Sequence, residues 1–378
     1  MPDFLAGVRV IDLSQYVPGP YAALQLADMG ADVVKVEPPS GDPMRRLGTV
    51  DSDGWSPFYK LVNGGKTIVR LDLKTRDGAT DFERLLTVAD VLVESYRPGV
   101  LERLGFGRER LQKINRGLVH CALSGWGQTG PYSLKAGHDL NYMALGGGLI
   151  ASGIRDRPVI AWPPTADYAS GVQAAGAICG ALVRRARTGE GAYIDVSLVE
   201  TVLAWQSGGL TAGRRPGIVP DRAAELLNGG AACYQIYQTR DWRFLTLGNL
   251  EDKFWANFAA AAGHPEWSER QWEAMPQDDL IAEVQAVIGT KDLSEWEAIL
   301  ERVDTCFHGV IEFSDVPEHP QVRARGMTHL GGGEREPMVA AAFPAWIDGV
   351  APQPRRPATE IDSGAAMTRW AVASEPGG

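Results

Sequence analysis

Nowhere does the chain carry eighteen consecutive apolar residues, which argues against a membrane-spanning helix. The amino-terminal MPDFLAGVRVIDL has no basic segment followed by an apolar run, so no secretory leader is expected. Cysteine is scarce: Cys121, Cys179, Cys233 and Cys306 lie far apart without a C-x-x-C pair, suggesting neither a disulfide framework nor a zinc site. A reducing cytoplasm fits this usage best. Positive charge is short as well, with 37 Lys and Arg against 47 Asp and Glu and a formal net charge of −10. Nucleic acids and anionic membranes call for clustered Lys and Arg, so neither is an expected partner. An anionic ligand would need a local basic pocket. Also missing is G-x-G-x-x-G after the first strand, where the turn reads SQYVPGPY. Only glycines let a backbone approach a pyrophosphate there, so an NAD or FAD site is excluded at that position.

What is present is an ordinary globular composition, 44% hydrophobic and 22% charged over 378 residues, enough for a sizeable core and two domains. Strand-like and helix-like segments alternate through the first 200 residues, the pattern of a mostly parallel, Rossmann-like sheet with helices packed on it. Expected strands are Val8 to Leu13, Ala31 to Val36, Thr67 to Leu73, Asp90 to Glu94, Leu118 to Ser124 and Tyr193 to Val196. Gly19-Pro20 opens a helix to about Met29, and Gly30 is placed to end it. The fold class is α/β.

From Gly229 the pattern changes. Tyr234 to Tyr237 and Arg243 to Leu247 flank Thr239-Arg240-Asp241 as a hairpin, followed by an aromatic helix from Glu251 to Ala262 and two further helices. The last of these carries a capping-box signature at Ser294 and Glu297. The domains expected are 1–198, a large α/β unit, and 229–316, a smaller α+β unit. Residues 199–228 and 317–345 serve as connections, and 346–378 returns to the large domain.

The densest stretch for chemistry is SGWGQTGPYSLKAGHDLNYMALGGGL, residues 124–149, with seven glycines and one proline. Such glycine content marks turns or close backbone approach to a ligand; an ordinary turn-rich crossover is the alternative. His138 sits inside it, followed by Asp139. A single histidine is more often a structural hydrogen-bonding residue than a catalyst. Asp167 comes 29 residues later, before a helix whose apolar positions Val172, Ala175, Gly176, Cys179, Leu182, Val183 and Ala186 fall at spacings of one, three and four. Read from its neighbours alone, Asp167 is a helix cap, and Glu251 at the aromatic helix is a cap by the same logic. The cations for an anionic ligand are Arg45, Arg46, Lys66, Arg97 and Arg103, against a background in which most surface arginines are merely solvated. Arg97, in YRPG, follows a strand at its carboxyl end, where open α/β sheets place ligands.

Four long segments resemble the class III coenzyme A transferases and their relatives, the α-methylacyl-CoA racemases: GPYAALQLADMGADVVKVEPPSGDP, ADVLVESYRPGVLERLGFG, SGWGQTGPYSLKAGHDLNY and NGGAACYQIYQTRDWRFLTLGNLEDKF. The resemblance implies an interlocked homodimer, with the site at the junction of one large domain and the partner's small domain. It implies an acyl-CoA substrate and no permanently bound cofactor, coenzyme A arriving as part of the substrate. In the transferases the aspartate matching Asp167 is the nucleophile; in the racemases it moves a proton. GHDLNY, which sets His138 opposite that aspartate, resembles the racemase signature, and Glu251 matches a residue assisting the histidine. An enolate formed beside a thioester needs a donor at the thioester oxygen, for which the backbone N–H near Asp139 is the expected group, and Tyr16, Arg45, Lys66, Arg97 and Arg103 are the expected contacts to CoA. Pro38 and Pro39 depart from the resemblance, standing where a racemase carries a CoA-binding arginine. Three functions follow as expectations: an α-methylacyl-CoA racemase acting by proton transfer through an enolate, a CoA transferase working through an Asp167 thioester, and a non-catalytic acyl-CoA binding protein.

Overall fold

Along the first strand, side chains alternate between two buried faces, because successive residues of a strand point to opposite sides. Ile11 and Leu13 pack with Val34, Val36 and Leu92 against Phe82, Leu85 and Trp370, whereas Val10 packs with Val33, Val91 and Cys121 against Leu26 and Ile178. A sheet covered on both faces explains why its strands are rich in apolar residues, with Asp12, Lys35 and Glu37 buried among them.

The computed structural model describes residues 3–216 and 221–372. Residues 217–220 of the expected first connection, 373–378 of the expected return segment, and residues 1 and 2 lie outside the described residues. The chain forms two compact units. The larger comprises Met1–Gly146, Trp162–Ala204 and Pro317–Gly378, and the smaller Gly147–Ala161 and Trp205–Val316.

In the larger unit seven parallel strands form one sheet: β1 (Arg9–Leu13), β2 (Asp32–Glu37), β3 (Thr67–Arg70), β4 (Val91–Glu94), β5 (Val119–Ser124), β6 (Ala192–Ser197) and β7 (Thr359–Ile361). Their order is β7-β3-β2-β1-β4-β5-β6. The chain runs outward from β1 to β3 and returns to β4 on the far side of β1, so the direction of winding switches between β1 and β4. Crevices at such switch points are where open α/β sheets bind ligands. The helix Pro18–Asp28 starts one residue before Gly19 and is closed by Gly30 at φ 99°. It packs with the long helix Thr165–Thr188 on one face, while Arg76–Val88 and Ser363–Val372 cover the other.

The smaller unit is built on the hairpin Tyr234–Gln238 and Phe244–Gly248, joined by a third antiparallel strand, Phe307–Gly309. Tyr237, Leu245 and Leu247 face Trp255, Phe258, Trp267 and Trp296. The buried indoles keep their N–H groups bonded: Trp255 donates to the Trp267 carbonyl at 2.7 Å and Trp296 to the Ile288 carbonyl at 2.8 Å. Buried tryptophans usually find a partner for that donor.

Three expectations need correction. The capping box lies two residues earlier than Ser294 and Glu297. Asp292 is the N-cap and its backbone N–H donates to Glu295 at 2.8 Å, a start that places the buried Leu293 inside the helix. Residues 317–345 are more than a connection, since Thr328–Gly333 and Glu336–Ala341 form an antiparallel hairpin. Its first strand ends in three glycines, which carry no apolar period to read. Residues 199–228 likewise include most of the helix Leu198–Trp205 and the whole of Ser207–Ala212.

Candidate active site

Loops leaving the carboxyl ends of β1, β4, β5 and β6 surround a cavity of about 330 Å³, with Tyr16, Arg97, Trp126, His138 and Asp167 in its wall.

The loop after β1 is held from beneath by buried charge. Asp12 accepts from the Ser14 backbone N–H at 3.0 Å and from its hydroxyl, and Lys35 donates to the Ser14 carbonyl at 2.7 Å. Burial would raise the Asp12 carboxyl, but Lys35 and Lys66 outweigh it and hold it at about 2. A Cβ on Gly19 would come within 2.2 Å of the Ser14 side chain, so the turn into the helix needs glycine there. Gln15 N–H donates to the Ser95 hydroxyl at 2.9 Å, tying this loop to the one after β4. Tyr16 adopts φ 64°, a left-handed conformation uncommon for a non-glycine residue. Its ring meets His138 edge-on, with centroids 5.9 Å apart.

Glycines also shape the segment that carries His138. A Cβ on Gly125 would lie 2.2 Å from the Tyr142 ring, and one on Gly137 2.8 Å from it. The space goes to Tyr142, which donates to the Gly137 carbonyl and packs edge-on against Trp126 at 4.9 Å. His138 then precedes the short helix Asp139–Leu145, its backbone N–H bonded to Asn141 Oδ1 at 3.0 Å. The side chain is exposed.

Asp167 is not the cap of its helix. The helix begins at Thr165, Asp167 is its third residue, and the carboxylate that accepts the Asp167 backbone N–H, at 3.1 Å, belongs to Asp139. The Asp167 side chain is thereby released into the cavity wall. A helix start favours the anion, yet burial, with the neighbouring Asp139 charge second, pushes the Asp167 carboxyl up to about 7. Burial and then Asp167 push the Tyr142 phenol up to about 12, and Arg97 draws it back, so these groups share one electrostatic neighbourhood.

The cations divide. Arg97 is exposed in the cavity wall. Arg103 is exposed on the helix Val100–Arg103, outside that wall. Lys66 and Arg45 are corrections to the expected CoA contacts. Lys66 is 1% exposed and its ammonium is bonded to Asp12 at 2.8 Å, the Pro20 carbonyl at 2.7 Å and Asn63 at 2.9 Å, leaving it no donor for a ligand. Arg45 is 5% exposed, paired with Glu37 at 2.7 Å and Glu360 at 3.1 Å, and stacked over Trp55. The sequence reading passed over Lys135, a cation in the same wall whose position three residues before His138 was the available signal. Glu251 lies in the smaller unit as the N-cap residue of Asp252–Ala262. Among the described residues no group of His, Cys, Asp and Glu is arranged to hold a metal ion, and no helix is long and apolar enough to cross a membrane.

Residues 5–362 match the model of CoA-transferase family III. The chain is 35% identical to a human alpha-methylacyl-CoA racemase over 333 residues, 85% of this chain and 81% of that one. It is 31% identical to an acetyl-CoA:oxalate CoA-transferase of Acetobacter aceti, over 98% of this chain and 96% of that one. Among solved structures, a CAIB/BAIF family protein from Brucella suis superposes with a TM-score of 0.84 at 26% identity, covering 99% of this chain and 100% of its own. With both an isomerase and a transferase at comparable distance, what these relationships establish is an enzymatic family: the chain belongs to CoA-transferase family III.

Proposed function

We propose that the protein racemises 2-methylacyl-CoA thioesters, with His138 and Asp167 as the acid and base of a 1,1-proton transfer. The observation that carries this reading is that both side chains line one cavity at the carboxyl edge of the sheet. Removing the proton next to a thioester carbonyl creates an enolate, which calls for a base on one side, an acid on the other and a donor at the thioester oxygen. A carboxyl held near 7 is poised to exchange protons at neutral pH, the condition under which a general base works best. The backbone N–H of Asp139, at the start of its helix, is the proposed donor to the enolate oxygen.

A cavity of about 330 Å³ suits the thioester and the adjoining part of an acyl chain. The pantetheine and nucleotide then extend outside it, past Arg97, with Tyr16 and Arg103 as further contacts in the proposal. The interlocked homodimer and the assistance of Glu251 to His138 belong to the same reading; an active, folded monomer in sedimentation at low concentration would remove both.

A second reading is supported by the 31% identity to the Acetobacter aceti transferase. There Asp167 attacks the acyl carbonyl and CoA leaves as the thiolate, which then attacks the aspartyl carbonyl of the anhydride to give an aspartyl thioester and release the first acid; a second carboxylate displaces the thiolate to form a new anhydride, and the thiolate takes its acyl group and frees Asp167. Incubating a 2-methylacyl-CoA in deuterium oxide with no second acid separates the two. Racemisation predicts deuterium at the α-carbon and loss of configuration. Absent exchange, together with hydroxylamine trapping of Asp167 during turnover with a free acid, would establish the transferase instead. Intact CoA binding with neither exchange nor trapping would leave a non-catalytic acyl-CoA binder.

A further inference from the structure

A second cavity, about 440 Å³, opens beside the amino-terminal ends of β5 and β6 and shares no lining residue with the one holding His138 and Asp167. His120, inside β5, lines it and is 8% exposed, yet neither ring nitrogen has a hydrogen-bond partner. The Glu94 carboxylate stands 3.7 Å from Nε2, too far for a hydrogen bond. The imidazole lies edge-on to Tyr193, with centroids 5.0 Å apart, and the Arg108 guanidinium lies 4.6 Å from the centre of that same ring. One aromatic wall therefore brings a buried, unpartnered imidazole and a cation together.

Buried polar groups in native proteins are hydrogen-bonded, and one left open in a cavity marks a place where a partner fits. A guanidinium resting on a ring keeps N–H donors for a planar oxyanion. The charged lining residues are Arg108, Lys113 and Arg116 against Glu109 and Glu190, and Arg116 is engaged with Glu190 at 2.7 Å. Arg108 and Lys113 then face Glu109, with Glu94 beside the imidazole, so the charges balance and the local cation is Arg108, which shares the Tyr193 ring with His120. We infer that this cavity binds a small anion bearing a carboxylate or phosphate, its oxygens taken by Arg108, Lys113 and an N–H of His120, with Tyr193 as the apolar wall. The inference does not depend on which reaction the other cavity performs.

The test uses inorganic phosphate and benzoate as probes on the native protein, by calorimetry and by NMR of the six histidine rings. One probe should bind below about 10 mM and shift the His120 resonance. Phosphate preferred over benzoate identifies a phosphate ligand, and the reverse an aromatic carboxylate. Arg108→Gln, at an exposed position, should weaken that probe at least tenfold, on the scale of a lost charge-assisted contact. His120→Phe should do the same where circular dichroism shows it folded. No binding of either probe, an affinity unchanged in R108Q, or a shift confined to other histidines would each overturn the site.

Discussion

The Asp139 carboxylate accepts the backbone N–H of Asp167 at 3.1 Å, so one acid closes the helix start that carries the other. Asp139 thus fixes where Asp167 stands and, through its own charge, adds to the upward push that burial gives the Asp167 carboxyl. Position and proton affinity are set by the same neighbour.

Replacing Asp139 with asparagine keeps an oxygen that accepts the Asp167 N–H and removes the negative charge. The Asp167 carboxyl then falls below about 7. The acid limb of the pH–rate profile should move to lower pH in D139N by up to about one unit, as expected for one nearby charge. An unmoved limb would mean that Asp167 does not set the profile.

His138→Ala and Asp167→Asn should each lower racemisation by about a hundredfold or more, the scale of a lost general acid or base. Coenzyme A affinity should stay within about twofold, since neither group is assigned to the nucleotide. Chiral analysis of the product and calorimetry read the two quantities separately.

Holding a carboxyl at about 7 in the folded chain destabilises the fold once that group must ionise. Between the ordinary carboxylate value and about 7 the native state keeps a proton that the unfolded chain has released. Stability is therefore lost as pH rises through that window and stays lost above it. Asp167→Asn is expected to be more stable than the native protein at pH 8 by about 1–3 kcal/mol, and no more stable at pH 4, in urea unfolding.

Lys66 should behave as a structural residue. Burial draws its ammonium down to about 8 against the pull of Asp12, and removing it strands the Asp12 carboxylate without its closest cation. Lys66→Met should cost about 3–5 kcal/mol in urea unfolding, as for one broken partner of a buried pair. The folded fraction should bind coenzyme A as the native protein does.

Arg97→Ala should weaken coenzyme A about tenfold with little change in stability, because the side chain is exposed and lines the cavity. Equal affinities by calorimetry would take Arg97 out of the site.

The central strands were legible because a sheet buried on both faces demands apolar runs, and VLVE admits little else, although in VKVE the buried Lys35 and Glu37 interrupt the run. The edge strand β7 was not, since Thr359, Glu360 and Ile361 make a three-residue, polar stretch whose strand character comes from pairing with β3. Among the site residues, the clustering of Tyr16, Arg97, His138 and Asp167 followed the loop positions. Lys66 and Arg45 failed for a different reason. A lysine after glycines reads as an exposed cation until the fold shows Asp12 at the matching depth, and sequence spacing carries no information on burial. Asp167 as a cap failed because the competing acceptor, Asp139, is 28 residues away.

The placement of β7 and its helix bears on how fast and in what order the protein is made. Arg369 bonds Asp32 across 337 residues, Glu360 bonds Arg70 across 290, and Trp370 completes the core behind the first strand. Closing loops of that length is slow, because their entropy is lost before their contacts form. On the ribosome, where synthesis is vectorial, β3 leaves the exit tunnel as an unpaired edge and stays so until nearly the whole chain has emerged. Until β7 emerges, the β3 edge is exposed without its own partner, the condition in which strand edges are prone to wrong pairing.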